Sequence, residues 1–245
     1  MAVLVTRPHP DNEATAATLR ARGLRVVLAP VLRFESLAFQ DDLDAGYGAV
    51  IVTSANALRG FESHPAARRL LALPLFAVGE HTAAAARRAG FTTVSASQGG
   101  VNGLRDDVVA RAKAGKLDST LPLLYLAGAD LARDLAGELG MRGFSVVIHT
   151  TYRMTPVSEL PPEACAAFAA NEVDAVLHYS RRSARAFVDA ARRGGIEISA
   201  LAIPQCCISD AVASTVRDAG AARVLTARSP DEVALFEALE RALHP

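Results

Sequence analysis

Lysine is nearly missing from this 245-residue chain: Lys113 and Lys116 are the only two, and every other basic residue is arginine. Both sit in a polar helix-to-loop stretch that reads as a solvated face, so a lysine that forms a Schiff base or holds a cofactor is not expected. Cysteine is scarce as well. Cys165, Cys206 and Cys207 make neither a CxxC pair nor a metal-ligand spacing. The adjacent pair falls in an apolar run and reads as buried strand. Formal net charge is zero, which removes the general basic field of a nucleic-acid binder. No apolar run approaches membrane-spanning length. The opening AVLVTRP lacks the basic region and cleavage site of a secretory leader, so a soluble, cytoplasmic protein is expected. No GxxxxGK phosphate cradle occurs, and Gly99-Gly100-Val101-Asn102-Gly103 reads as a loop rather than a dinucleotide turn. The histidines show no metal spacing and no Ser-His-Asp order; His149 and His178 fall in strand patterns, where packing roles are expected. Neither metal nor cofactor is indicated.

What the chain does have is a repeat. Residues 3–27 lie over residues 123–147 without a gap, matching Leu19 to Leu139, Arg22 to Arg142 and Gly23 to Gly143. VIVTSANALRGF from Val50 lies over VLHYSRRSARAF from Val176, with Ser54 on Ser180 and Phe61 on Phe187. FAVGEHTAAAARRAG from Phe76 lies over CCISDAVASTVRDAG from Cys206. Three blocks in one order make the chain two copies of one unit, and two lobes in one chain create a cleft where small molecules bind.

Within each copy, short apolar runs alternate with Ala/Arg/Leu-rich helical stretches. Strands are expected at 3–6, 25–29, 49–53, 75–78, 123–126, 145–149, 175–179, 205–208 and 223–226. Helices are expected at 12–22, 55–62, 82–89, 104–114, 131–142, 164–169, 183–193, 211–219 and 230–243. Gly23, Gly90, Gly143, Gly194 and Gly220 each follow a helix and suit a left-handed closing residue. Continuous apolar strands between helices indicate parallel sheets covered on both faces, so each lobe is expected to be a doubly wound, flavodoxin-like α/β sheet of about five strands. Two extended segments, 30–35 and 150–156, follow the second strand of each copy and are the natural linkers. The repeat boundary near residue 120 offers a different cut, and the repeat does not choose between them.

Ligands of such sheets bind where strands end and helices begin. There the repeat places Thr53-Ser54 opposite Ser180, and Gly79-Glu80-His81-Thr82 opposite Ser209-Asp210. Helix N-termini offer free N–H groups to a carboxylate or phosphate, although Ser54, Thr82 and Ser180 also suit plain helix caps. Arg7, Arg153, Arg181 and Arg182 flank these ends and could grip carboxylates through their planar forks; solubilising surface charge is the other reading.

VLVTRP, APVLRFE, VTSANALRGF, FAVGEHTAAAARRAGF, LYLAGADLARDL, TTYR and VLTARSPDEVALFEAL stand in the order and spacing of one family along almost the whole chain. The sequence resembles the uroporphyrinogen-III synthases. That resemblance implies a swapped arrangement: one discontinuous lobe of residues 1–32 plus 156–245, a second of 36–150, and linkers at 33–35 and 151–155. It implies an enzyme that needs no cofactor or metal and works in the cleft on linear hydroxymethylbilane; a monomer is expected because the internal duplication already provides two lobes. It further implies a catalytic Tyr152, matching the family's linker tyrosine, and substrate contacts from Arg7, Ser54, Thr82 and Ser180; the strand-end reading adds Thr53, Arg181 and Ser209 as substrate contacts. The chain departs from the family pattern at 208–213, where a Gly and a Thr-Ala pair are usual. It also has Ala127 where arginine is common, and HYSRRS in place of an FTS-like strand end. A non-catalytic bilobal protein that senses a polycarboxylated ligand is the alternative reading.

Overall fold

The structure, a computed structural model, describes every residue except 39–45, 60, 62, 63, 132 and 245. Strand β1 (Ala2–Val5), helix α1 (Asp11–Ala21) and strand β2 (Arg25–Leu28) open the chain. Strands β3 (Leu32–Ser36) and β4 (Ala49–Val52) precede a 3₁₀ turn at Ala55–Leu58 and helix α2 (Ala67–Leu71). Next come β5 (Leu75–Val78), α3 (Gly79–Arg88), β6 (Val94–Ser97), α4 (Gly100–Lys113), β7 (Leu123–Gly128) and α5 (Leu135–Gly140). A long strand, β8 (Val146–Pro156), leads to α6 (Pro162–Ala169), β9 (Ala175–His178), α7 (Arg181–Arg193) and α8 (Glu197–Ala202). The chain closes with β10 (Gln205–Cys207), α9 (Asp210–Asp218), β11 (Val224–Thr226) and α10 (Glu232–Leu243).

Two sheets result, one in the order β11-β10-β9-β1-β2 and one in the order β3-β8-β7-β4-β5-β6. Adjacent strands of the first sheet run parallel throughout, as do β4 with β5 and β7, β5 with β6, and β7 with β8. The chain falls into two compact units, Met1–Phe34 with Thr155–Pro245, and Glu35–Met154. Each unit holds one of these sheets, and the passages between units fall inside β3 and β8.

Every residue of β1, β4, β7 and β9 is buried, because a central parallel strand has helices on both faces and no side left for water. Alternation of period two then divides each strand between two cores. Val50 and Val52 join Leu75, Leu124, Leu126, Phe61 and Leu70 on one face of the larger sheet. Ala49 and Ile51 join Phe76, Tyr125, Leu104 and Leu139 on the other. In the smaller sheet Val3, Val5 and Leu177 pack on Leu19, Phe236 and Leu239, while Cys207 packs on Ala184, Val212 and Val216. Each Leu or Phe so buried is worth about 1.5–3 kcal/mol relative to exposure. Burial also pushes the Cys206 and Cys207 thiols up to about 12, so both act as small apolar side chains.

The structure adds two strands to the expected nine, β3 and β6. Both lie at sheet edges and carry polar or partly exposed residues, so neither shows the apolar run of a central strand. The segments expected as linkers are themselves strands: β8 continues without a break from Val146 through Tyr152 to Pro156, beside β3. Short helices α2 and α8 have no counterpart among the expected elements. The helix expected over 55–62 is a 3₁₀ turn at Ala55–Leu58, with residues 60 and 62 outside the described set. The helix expected over 131–142 is ordered as Leu135–Gly140, and residue 132 is likewise outside. Helix α4 begins four residues early, so the stretch from Gly100 to Gly103 is its first turn rather than loop. Glycine is required there by a close approach, since a Cβ on Gly103 would fall 1.5 Å from the Gln98 carbonyl oxygen. The left-handed residue after α7 is Gly195 (φ 69°), not Gly194 (φ −78°).

Candidate active site

In the Glu35–Met154 unit the parallel register brings four strand ends to one edge. Val52 pairs with Ala77 and Leu126, and Ala127 pairs with Thr150. The residues that follow, Thr53-Ser54, Gly79 and Gly128, therefore share that edge with Thr150-Thr151-Tyr152. Ser54 (φ −149°, ψ 140°) caps the 3₁₀ turn, its Oγ accepting from the Asn56 amide at 3.2 Å. Its own O–H is left to donate. The Thr53 hydroxyl is 2.9 Å from the Tyr125 phenol oxygen, and burial raises the Tyr125 phenol above its ordinary value while Thr53 opposes that rise. Thr82 is not a helix cap. Helix α3 starts at Gly79 after Val78, which puts Thr82 in its fourth position, 5% exposed, with a hydroxyl that makes no hydrogen bond among the described residues.

Tyr152 is placed by a β-bulge. Between Ala127 and Gly128 the pairing with β8 skips a residue, so Gly128 lies opposite Tyr152 rather than Thr151. The skipped Thr151 turns its buried hydroxyl toward the carbonyls of Ala57 (3.2 Å) and Ala127 (3.4 Å), tying the 3₁₀ turn and β7 to β8. The Tyr152 ring lies across Gly128, where a Cβ would meet its Cζ at 2.7 Å and Oη at 2.8 Å. Bulges of this kind re-aim side chains beside active sites.

The Met1–Phe34/Thr155–Pro245 unit repeats the edge with different chemistry. Ser180 caps α7, accepting from the Ser183 amide at 3.0 Å, with the two serine hydroxyl oxygens 2.8 Å apart. Arg181 opens that helix, exposed and without an ion pair among the described residues. Ser209 precedes α9, but its side chain makes no cap bond; its carbonyl accepts from Val212 and Ala213 instead. Arg7 is occupied. Its guanidinium donates to Asp11 and Glu232, each at 3.1 Å, and to Thr15 at 3.2 Å, while lying 4.3 Å from the centre of the Tyr179 ring. Tyr179 and Thr15 donate to the same Glu232 oxygen at 2.7 and 2.6 Å. Burial, then the Glu232 carboxylate, raises the Tyr179 phenol far above its ordinary value. A ligand carboxylate that called on Arg7 would have to displace two carboxylates already in place.

Among the sequence-derived site residues, then, Thr82, Ser209 and Arg181 keep uncommitted polar groups. Ser54 and Ser180 act as caps, and Thr53 and Arg7 are engaged within the protein. The residues that sequence reasoning missed are Tyr125, Thr151, Gly128, Tyr179 and Glu232. A shared period with the strand ends could have suggested Tyr125; nothing local announced Glu232, which reaches Arg7 across 225 positions. Among the described residues no group of three His, Cys, Asp or Glu side chains could hold a metal ion, and no helix is long and apolar enough to cross a membrane.

Uroporphyrinogen-III synthetase from Helicobacter pylori shares the fold at 16% identity, with 98% of each chain covered and a TM-score of 0.67. A methionine-substituted variant of uroporphyrinogen III synthase from the extremely thermophilic bacterium Thermus thermophilus does so at 20% identity, covering 100% of this chain and 99% of that one, with a TM-score of 0.57. At these identities the likeness establishes the fold. No curated protein sequence matches significantly. The model of the uroporphyrinogen-III synthase HemD family matches residues 13–237, and this chain belongs to the uroporphyrinogen-III synthase family.

Proposed function

We propose that this chain cyclises linear hydroxymethylbilane to uroporphyrinogen III as a lyase that uses no cofactor. The substrate loses its hydroxyl as water and leaves an azafulvene electrophile. The terminal pyrrole attacks through its substituted carbon, and the resulting spiro intermediate fragments and recloses with that ring inverted. The pyrroles supply the electrons, so the protein's task is to hold one geometry, which is catalysis by orientation. The single observation that carries the proposal is the family match across residues 13–237.

The strand ends suit that task. The substrate has eight carboxylates, and the helices that begin at Gly79, Arg181 and Asp210 present N-terminal amides fit for such groups. In the Glu35–Met154 unit Thr82 adds a side-chain donor at the strand ends that carry Thr53 and Ser54, and in the other unit Ser209 and Arg181 do so at the strand ends that carry Ser180. Tyr152, held over Gly128, is the proton donor to the departing hydroxyl. Arg7 serves here as the fixed centre of an ion-pair cluster that keeps the ends of β1 and β9 in register with α10.

The test supplies fresh hydroxymethylbilane to the purified protein, oxidises the product and resolves the porphyrin isomers. Type III in excess of a protein-free control is expected. Type I alone, at the spontaneous rate, from protein of verified fold, would overturn the proposal in favour of a non-catalytic binder.

A further inference from the structure

A concave site lies away from the strand ends, along the outer edge of β6. A cavity of about 520 Å³ is walled on one side by Val94, Ser95 and Ala96, and on the other by Asp107, Arg111 and Lys116. Its volume falls in the range of ligand pockets. Among the described residues β6 has one neighbour, β5. The Leu75 amide donates to the Thr93 carbonyl at 2.8 Å, so Thr93 turns its backbone groups toward β5. Backbone direction alternates along a strand, and the N–H and C=O groups of Val94 and Ala96 therefore face the open edge. An edge left open in this way among the described residues is a template for one more strand.

The far wall adds a charge preference. Arg111 is held with its guanidinium 5.8 Å from the centre of the Phe76 ring. Neither Arg111 nor Lys116 forms an ion pair among the described residues, and Asp107 has no cationic partner among them. Two cations against one carboxylate leave the wall positive in a chain whose net charge is zero. An edge strand beside a cavity walled by a helix is the setting of recognition by strand addition, in which main-chain bonds give affinity and side-chain contacts give specificity.

We propose that the β6 edge binds an extended acidic peptide segment of a partner protein, its backbone pairing with Val94 and Ala96 and its carboxylates meeting Arg111 and Lys116. This surface is separate from the strand ends assigned to substrate and stands whether or not the chain closes hydroxymethylbilane.

Fluorescence anisotropy with labelled hexapeptides tests it. One peptide alternates valine with glutamate, a second alternates valine with lysine, and a third is the glutamate peptide N-methylated at every other residue. Saturable binding of the first is expected, with the other two at least tenfold weaker. The double variant Arg111→Glu/Lys116→Glu should weaken the glutamate peptide at least tenfold. Ala96→Pro deletes an N–H that faces outward at an edge, where proline is tolerated, and should do the same without changing the circular dichroism spectrum. If Ala96→Pro fails to fold, the N-methylated peptide asks the same question from the ligand side. Absence of saturable binding, equal affinity for the lysine peptide, or unchanged affinity in the charge-reversed variant overturns the proposal.

Discussion

Mild acid should destabilise the Met1–Phe34/Thr155–Pro245 unit through one side chain, His178. This residue of β9 is wholly buried, and its ring packs edge-on to Phe187 with centroids 5.2 Å apart. Its hydrogen bonds fix its tautomer. Gln205 spends its amide N–H groups on the carbonyls of Ala200 (2.8 Å) and Ile203 (2.9 Å), which leaves Gln205 Oε1 as an acceptor. His178 Nε2, 2.8 Å away, must then carry the hydrogen, and Nδ1 is a bare lone pair with no hydrogen-bond partner. Protonation would place a charge and an unmatched N–H in the core, and burial accordingly pushes the imidazole down from 6.5 to about 4, with the Gln205 bond acting weakly against it. A folded-state value below the unfolded one means stability that is fully present above pH 6.5 and lost as pH falls toward 4. Each tenfold drop in proton affinity on folding corresponds to about 1.4 kcal/mol, so roughly 2 kcal/mol is gone by about pH 5 and roughly 3 kcal/mol below about pH 4. That is a sizeable part of the roughly 5–15 kcal/mol that holds a typical domain. Urea unfolding at about pH 7.5 and about pH 5 measures it, with His178→Asn as the control that cannot titrate. The variant should be less stable than wild type near neutrality and should lose roughly 2 kcal/mol less on acidification. An equal loss in both proteins, or an Nδ1–H tautomer in the nitrogen NMR spectrum of folded protein, would refute the reasoning.

Tyr152→Phe should lower the initial rate of type III formation by about 10²-fold or more if the phenol gives its proton to the leaving hydroxyl, with an unchanged melting temperature; an unaltered rate removes Tyr152 from the chemistry. Thr82→Ala should slow the same assay by less, about tenfold, the scale of one lost hydrogen bond, again with the fold intact. Gly128→Ala puts a methyl within 3.1 Å of three atoms of the Tyr152 ring, and by urea unfolding it should cost about 1–3 kcal/mol and reduce turnover as the ring is displaced. Asp231→Ala removes the carboxylate that accepts from the Ala234 amide at 2.9 Å and caps α10; thermal melts should report a loss of about 1 kcal/mol.

Central strands can be read directly, because AVLV, AVIV and AVLH have no solvent side and so almost no polar residues to blur them. The edge strands cannot. VSAS of β6 and LRFES of β3 face water on one side, and their composition is that of a loop. Thr82 resembles a cap in the sequence because Gly79-Glu80-His81 reads as the turn before a helix that starts at residue 82; in the structure Gly79, at φ 72°, is already the first residue of the helix. The serines opposite each other in the repeat are legible as caps and are caps in both copies. Two features have no local signature at all. The bulge that seats Tyr152 depends on the pairing of β7 with β8, and the occupation of Arg7 depends on Glu232 at the far end of the chain.

Strand β1 is an interior strand of its sheet, with β2 on one side and β9 on the other, yet it precedes both in the sequence and β9 does not begin until Ala175. At about 5–20 residues per second, roughly 7–30 s pass between the emergence of β2 and that of β9, the distant partner of β1. During that interval the ribosome releases the whole of Glu35–Met154, which has its own sheet and both of its cores. The nascent chain thus carries a finished middle and an unfinished beginning, and four apolar residues of β1 must wait unpaired on one side. Sequences in this window that slow or mispair β1 would cost yield rather than stability, a fault visible in refolding and expression but invisible to any measurement made on the folded protein.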